Sequence, residues 1–245
     1  PNTDSLLDKS FRIVERWFSW LVDGWIVNSQ VTKNTLLNSC NIKKNDVYVI
    51  YNGVNLPVNI DSFSEKPIEI LTVANLNKRK GHIEYLKNIS KIVDLMPNLK
   101  FIFVGRDDMN GVVQKKIIEY GLDKHVYYEG FHSDVSGFYK RASLFVLPSL
   151  WGEGCPTSIL EALSYSVPVI AHNIDGIPEL INQGDDGLLL EVNDANGFKK
   201  IVKLLNNSGN LSVMGQRGRN KIKREFTIKS CVDNHYSVIS EILVK

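Results

Sequence analysis

The chain has 245 residues, of which 43% are hydrophobic and 23% are charged, with 17 glycines and 8 prolines. This composition is typical of one large α/β domain, or of one domain and a fragment, and it excludes disordered, fibrous and disulfide-stapled proteins. The 29 basic and 27 acidic residues leave a formal charge of +2, which is too small to indicate a nucleic acid partner.

The first residues predict a helix with a broad apolar face. Apolar side chains recur at spacings of three and four over residues 5–22, and Trp17, Trp20 and Trp25 fall in or next to this stretch. We expect the face to pack against another domain, and attachment to a membrane surface is the alternative.

Two short strands, a helix and a linker follow. The strands are predicted at 25–29 and 47–50, and Ser29 is placed to cap a helix that runs between them to residue 37. Residues 54–67 contain two prolines and several polar side chains without periodicity, which is typical of a linker. We therefore place a domain boundary there.

From residue 68 onward, short apolar runs alternate with helical patterns. The predicted strands cover 68–73, 101–104, 126–128, 144–147 and 167–171. The predicted helices cover 83–95, 112–120, 135–140, 157–164, 195–205, 211–223 and 228–243. This alternation predicts an α/β fold with a Rossmann-like, doubly wound parallel sheet. Ligands of such sheets usually bind at the carboxyl ends of the strands.

The strongest chemical signal is the segment Pro-Ser-Leu-Trp-Gly-Glu-Gly-Cys-Pro-Thr at 148–157, which follows a buried strand and enters a helix. Gly152 and Gly154 allow the backbone to approach a ligand closely. Pro156 and Thr157 open a helix whose free amides favour an anion such as diphosphate. The segment lacks the ligand spacing of a metal site.

Two carboxylates belong to the same segment. Glu153 lies in the loop and Glu161 lies about one turn into the helix, so both can face one pocket. Carboxylates accept hydrogen bonds from hydroxyl groups, which suits a ribose or a hexose. Taken alone, Glu161 could also be an ordinary solvated residue of the helix. A second alternative is that the two glutamates form the general acid and base of a hydrolase.

A second signal follows the first strand of this domain, where Lys78, Arg79 and Lys80 precede Gly81. Three cations at the carboxyl end of a strand can neutralise a diphosphate, although charge runs in loops are mostly solvated surface. No GxGxxG or GxxxxGK[ST] pattern is present, which argues against a dinucleotide-dependent dehydrogenase and a nucleoside triphosphatase. Among the histidines, His132 has some extra weight as a candidate site residue because it follows the end of a strand.

The cysteines and the hydropathy indicate a compartment. Cys40, Cys155 and Cys231 are odd in number and widely spaced, which favours reduced thiols over a metal pair or a disulfide framework. The sequence also lacks an apolar run of about 18 residues and a signal-sequence pattern. We expect a cytoplasmic protein, at the inner face of the membrane if the aromatic helix attaches to it.

These motifs, in this order, resemble the family 4 glycosyltransferases, which have the GT-B architecture of two facing Rossmann-like domains. The resemblance covers residues 24–245 and matches the C-terminal, donor-binding half of that architecture. Its supporting motifs are Asn-Gly-Val-Asn at 52–55, Lys-Gly at 80–81, Gly105, Gly-Phe at 130–131, Leu-Pro-Ser at 147–149, the two glutamates with seven residues between them, Pro-Val-Ile-Ala at 168–171, Gly-Ile-Pro-Glu at 176–179 and Gly-Asp-Asp-Gly at 184–187.

The resemblance implies a role for each part of the site. Glu153 would contact the donor sugar and Lys80 would hold the diphosphate, so these two are the expected catalytic residues. The other expected substrate-binding residues are Glu161 for the ribose, Gly154 and Cys155 for the sugar, Pro156 and Thr157 at the helix start, Asn75 and Arg79 beside the phosphates, and Gly130, Phe131 and His132 for the base. Ala74 and Asn75 stand where the family often has Gly-Arg, which removes one phosphate-binding cation unless Lys78 or Arg79 replaces it.

The resemblance also implies a domain plan and an activity. Residues 1–53 correspond only to the end of the N-terminal acceptor domain, 54–67 to the linker, 68–225 to the nucleotide-sugar-binding domain, and 226–245 to a helix that crosses back. The implied activity transfers a hexose from a UDP- or GDP-sugar to a glycan or lipid-linked acceptor, with retention and with no metal or cofactor. The alternative is an incomplete nucleotide-sugar-binding or regulatory module that needs a separate N-terminal-domain subunit. Nucleotide-sugar epimerases of related shape fit the motifs less well.

Overall fold

The structure is a computed structural model that describes residues 21–39, 42–58, 68–191, 194 and 196–244. The helix predicted over residues 5–22 falls almost entirely outside the described residues, as does the linker from residue 59 to residue 67. Those two predictions therefore remain predictions.

The N-terminal segment forms a small parallel sheet. Strand β1, Trp25–Val27, pairs with β2, Val47–Val49, and helix α1, Gln30–Ser39, connects them. Ser29 caps α1 as predicted, because its Oγ accepts the amide hydrogen of Thr32 at 3.1 Å.

The main domain has six strands, which are all parallel to their neighbours. They are β3 (Glu69–Val73), β4 (Lys100–Val104), β5 (Val126–Gly130), β6 (Leu144–Leu147), β7 (Val169–His172) and β8 (Gly187–Leu190). Their order in the sheet is β5-β4-β3-β6-β7-β8. The order reverses between β3 and β6, which is the kind of switch point where doubly wound sheets bind ligands. The predicted α/β fold class is confirmed.

Helices cover both faces of this sheet. They are α2 (His82–Leu95), α3 (Val112–Glu119), α4 (Ser136–Arg141), α5 (Thr157–Ser164), α6 (Gly197–Leu205), α7 (Ser208–Glu225) and α8 (Ile228–Val244). Successive strand side chains alternate between two cores: Ile70 packs with the α2 face and Leu71 with the α5 face. This two-sided burial explains why the strands read as unbroken apolar runs.

Two sequence predictions about the sheet need correction. Strand β8 was not predicted, because its four residues, Gly-Leu-Leu-Leu, begin with a glycine and include no β-branched or aromatic residue. Strand β7 covers Val169–His172 instead of 167–171, because Val167 and Pro168 belong to the turn before it. The helix ends otherwise differ from the predictions by up to three residues, as frayed helix ends usually do.

The N-terminal segment is fastened to the main domain by a carboxylate. Glu179 accepts hydrogen bonds from the backbone amides of Gln30 and Val31 at the start of α1, at 2.7 and 2.9 Å. It also accepts one from the hydroxyl of Tyr51 at 2.8 Å. A negative charge at a helix N-terminus is favourable. This contact holds the N-terminal segment against the loops at the carboxyl ends of the sheet.

The first residues of the predicted linker are ordered against the start of α8. The amide of Val54 donates to the carbonyl of Phe226 at 2.9 Å, and the amide of Ile228 donates to the carbonyl of Val54 at 3.2 Å. Arg219 also donates to the carbonyl of Pro57 at 2.8 Å. None of the helices in the described ranges has both the length and the apolar composition that crossing a bilayer requires.

Candidate active site

A cleft of about 390 Å³ opens at the carboxyl ends of β3 and β6. Seven of the predicted site residues line it, from two segments of the chain, 75–80 and 153–161. They are Asn75, Arg79, Lys80, Glu153, Pro156, Thr157 and Glu161. The position fits the switch point of the sheet, and both carboxylates of the Glu motif reach the same space as predicted.

Lys80 and Glu153 form a nearly buried ion pair in this cleft. The Nζ atom of Lys80 lies 2.5 Å from Oε1 of Glu153, and the two side chains are 13% and 5% exposed. The hydroxyl of Ser149 donates to the same oxygen at 2.6 Å, and Nη1 of Arg79 lies 3.8 Å from it. Because all three contacts engage Oε1, the Oε2 atom is the oxygen that a ligand can use.

The backbone before α2 positions the two cations. Lys78–Lys80 form one 3-10 turn, and Oδ1 of Asn77 accepts the amide hydrogen of Lys80 at 3.2 Å. Gly81 follows with φ +69°, and a Cβ atom at this position would lie 2.1 Å from the carbonyl oxygen of Pro148. Only glycine fits both constraints. Arg79 is held in turn, because its guanidinium donates to the carbonyl oxygen of Gly152.

The loop that carries Glu153 is fixed by Asp175. One oxygen of Asp175 accepts the amide hydrogens of Gly152 and Glu153, at 2.6 and 3.1 Å. The carbonyl of Glu153 accepts the amide hydrogen of Gly176 at 2.9 Å. These bonds present the carboxylate to the cleft before any ligand arrives, which lowers the ordering cost of binding.

Neither Gly154 nor Cys155 lines the cleft in the described structure, so their contact with a ligand stays a prediction, and a residue of the N-terminal segment packs closely against Gly154. The group that approaches it closely is Asn28, whose Oδ1 would lie 2.4 Å from a Cβ atom at position 154. Asn52 donates to the carbonyl of Cys155 at 2.7 Å. Burial raises the pKa of the Cys155 thiol to about 11, so it is neutral near pH 7. Two asparagines of the N-terminal segment, Asn28 and Asn52, therefore contact the loop that carries Glu153.

Glu161 lies between this cleft and a second cavity of about 360 Å³. Val135 and Thr157 also line both, so the two cavities flank one pair of helices, α4 and α5. Burial raises the pKa of Glu161, and a hydrogen bond from Tyr139 lowers it. Glu161 is therefore not the solvated helix residue that the sequence left open.

The predicted base-binding residues lie at the end of β5, and neither cavity is lined by them. Phe131 is 61% exposed, and the guanidinium of Arg106 lies 5.2 Å from its ring centroid. The ring of His132 meets that of Phe138 edge to face at 4.9 Å. The second cavity is lined by the next residues along the chain, 133–136. Base contact by Gly130, Phe131 and His132 stays a prediction.

The sequence did not point to several residues that shape the site. Two of them bond directly to the glutamates: Ser149 to Glu153 and Tyr139 to Glu161. The other two, Asp175 and Asn52, bond to the backbone of the loop that carries Glu153. Ser149 and Asn52 each lie in a motif named from the sequence, but neither was assigned to the site. Trp151, in the same loop as Glu153, is 53% exposed. Over the part of the chain that the structure describes, no three His, Cys, Asp or Glu side chains are grouped to hold a metal ion.

Family models match nearly the whole chain. The model of the glycosyl transferases group 1 matches residues 59–221, and that of glycosyltransferase family 4 matches residues 1–57. An Escherichia coli UDP-Gal:alpha-D-GlcNAc-diphosphoundecaprenol alpha-1,3-galactosyltransferase is 30% identical over 213 residues, which are 81% of this chain and 55% of the relative. The chain spans about half the length of the curated relatives it matches.

Solved structures agree with the fold. A variant of S. aureus TarM, crystallised in complex with UDP and two other ligands, superposes with a TM-score of 0.84 at 20% identity, over 97% of this chain and 48% of that one. Anabaena HepE in complex with UDP superposes with a TM-score of 0.82 at 18% identity, over 95% and 67%. The parallel sheet is that of GT-B glycosyltransferases. The group 1 model matches residues 59–221, which are two thirds of this chain. The chain therefore belongs to the group 1 glycosyl transferases.

Proposed function

We propose that the cleft binds a nucleotide-diphosphate sugar and serves, in the whole protein, as the donor site of a retaining hexosyltransferase. The observation that carries the proposal is the convergence of Glu153, Glu161, Arg79 and Lys80 on one cleft beside the start of α5. The acceptor is a glycan or a lipid-linked sugar. The acceptor-binding surface lies largely outside these 245 residues, in the same or a separate chain.

The diphosphate lies between the two cations and the first turn of α5. Thr157 and Ser158 line the cleft at the start of this helix, where backbone amides and the helix dipole favour an anion. Lys80 and Arg79 face them from the loop after β3. As the bond to the sugar breaks, negative charge grows on the departing nucleotide, and these preorganised positive groups stabilise it. They would take the part that a metal plays in other transferases.

The sugar and the ribose lie at the two carboxylates. Glu153 offers its Oε2 to a sugar hydroxyl, while its Oε1 stays bonded to Lys80 and Ser149. Glu161 accepts hydrogen bonds from the ribose, with the nucleoside extending toward the second cavity, which it also lines. The name of the E. coli relative specifies UDP-Gal as donor and a diphosphoundecaprenol-linked acceptor. It supports a hexose donor and a lipid-linked acceptor, and the family resemblance supports retention.

Glu153→Gln should weaken recognition of the sugar but not of the nucleotide. Loss of a charged hydrogen-bond acceptor typically costs about 1.5–3 kcal/mol. The ratio of the affinity for the nucleotide sugar to the affinity for the free nucleotide should therefore fall about tenfold to hundredfold. Affinity for UDP or GDP itself should stay equal or rise, because Lys80 is released from its partner. Calorimetric titration with the free nucleotide and with its glucose, galactose and mannose conjugates gives both quantities.

A matched control is Glu119→Gln, which changes an exposed carboxylate on α3 that does not line the cleft. It should leave both affinities unchanged. If Glu153→Gln lowers the affinities for nucleotide and nucleotide sugar by the same factor, Glu153 does not bind the sugar.

A further inference from the structure

One oxygen of the Glu161 carboxylate is held by a buried tyrosine. Its Oε2 accepts a hydrogen bond from the hydroxyl of Tyr139 at 2.8 Å. The same hydroxyl lies 3.2 Å from the carbonyl oxygen of Ser158, one turn earlier on α5. Tyr139 therefore ties α4 to α5 at the point where Glu161 enters the cleft.

Tyr139 is held rigidly and is only 1% exposed. Its ring stacks on that of Tyr165, with centroids 5.5 Å apart and planes 15° apart, and it also contacts Phe145 at 5.9 Å. A hydroxyl buried in this way requires a hydrogen-bond partner. Burial raises its pKa well above the usual range, so the hydroxyl keeps its proton and donates it.

A fixed donor on one carboxylate oxygen restricts what the other oxygen can do. A free glutamate side chain samples several rotamers and would have to be ordered when a ligand binds, which costs conformational entropy. With Oε2 anchored to a rigid ring, fewer orientations remain for Oε1 in the space that Glu161 lines. The hydrogen bond also favours the ionised carboxylate against the effect of burial.

We propose that Tyr139 is a positioning residue for nucleoside recognition, because its hydroxyl holds Oε2 of Glu161 so that Oε1 meets the ribose hydroxyls of the nucleotide. The inference rests on the proposed function, since it requires a nucleotide in the cleft. Tyr139 also lines the second cavity, and in this proposal its hydroxyl acts through Glu161 rather than on the nucleotide itself.

The test compares the 245-residue chain with Tyr139→Phe, which removes one oxygen atom and keeps the stacked ring. Each protein is titrated calorimetrically with UDP or GDP, whichever the unsubstituted chain binds more tightly, and with its 2′,3′-dideoxy form. Tyr139→Phe should lower affinity for the normal nucleotide by about threefold to tenfold, because Glu161 must then be ordered on binding, and for the dideoxy form by less than about twofold. In a Glu161→Ala background the same substitution should change neither affinity. Thermal unfolding of each variant confirms that it is folded.

The outcomes separate the two proposals. An equal loss for the normal and dideoxy nucleotides, or an undiminished loss in the Glu161→Ala background, would show a structural role for Tyr139 and overturn the inference. An unchanged affinity in Tyr139→Phe would overturn it as well, while the donor site stands. Failure of the unsubstituted chain to bind either nucleotide would contradict the proposed function itself, and the inference with it.

Discussion

Replacing Lys80 with alanine should weaken binding of the nucleoside diphosphate by about tenfold to hundredfold, because a charge-assisted hydrogen bond to phosphate contributes about 1.5–3 kcal/mol. Lys80 is the more buried of the two cations in the cleft, with 13% of its side chain exposed against 38% for Arg79. Partial removal from water strengthens its interaction with an anion. Isothermal titration with UDP and GDP measures the loss.

The neighbouring Lys78→Ala is the matched control. Lys78 belongs to the same 3-10 turn but is exposed and does not line the cleft. It should change affinity by less than about twofold, as exposed charges usually do. If the two variants lose affinity equally, the loop contributes general positive charge and Lys80 has no specific role.

Loss of folding must be distinguished from loss of binding in this experiment. Lys80→Ala leaves Glu153 buried without its main partner, which is costly on its own. The double variant Lys80→Ala with Glu153→Ala removes both charges and should recover stability relative to Lys80→Ala. It should still bind the nucleotide weakly, since the contact to the diphosphate is absent in both.

The largest effect on stability is expected from Gly176→Ala. The backbone of Gly176, at φ −84° and ψ −4°, suits any residue, so the substitution acts by sterics alone. The new methyl carbon would lie 1.9 Å from the carbonyl oxygen of Gly154 and 3.0 Å from Cβ of Ser29. Backbone must move to accept it, and the free energy of unfolding should fall by about 3 kcal/mol, at the upper end of overpacking effects. Chemical denaturation monitored by fluorescence measures it.

Gly137→Ala provides the comparison for this prediction. Gly137 lies in α4, and a methyl group there would meet only Nη1 of Arg141, at 3.8 Å. Because alanine favours a helix over glycine, this variant should be neutral or more stable by up to about 1 kcal/mol. A similar loss of stability in both variants would mean that the contact between the Gly154 loop and Gly176 is not tight.

The architecture was predictable because its signals are local. The strands of the central sheet are short apolar runs, and the helices repeat their apolar residues every three or four positions, so windows of about ten residues identified most of them. Helix α5 was predicted at the residues where the structure has it, Thr157–Ser164. Strand β8 was missed because it contains no β-branched or aromatic residue, and only its pairing with β7 in the tertiary fold identifies it as a strand.

The site was predictable only where its residues are close in sequence. Glu153 and Glu161 share one segment, so their common pocket followed from helix geometry. The pairing of Lys80 with Glu153 spans 73 positions, and the hydrogen bond of Tyr139 to Glu161 joins two helices. The support of Gly154 by Asn28 depends on how the N-terminal segment docks. Such contacts are set by packing, and no periodicity in the sequence reports them.

The most direct test of the donor site is calorimetric titration of the 245-residue chain with UDP, GDP and ADP and with their common hexose conjugates. The arrangement of the two carboxylates and two cations around one cleft predicts saturable binding of UDP or GDP, with tighter binding of one of its hexose conjugates. Absence of binding by all of them, in a chain shown to be folded, would contradict the assignment of this cleft as a nucleotide-sugar site.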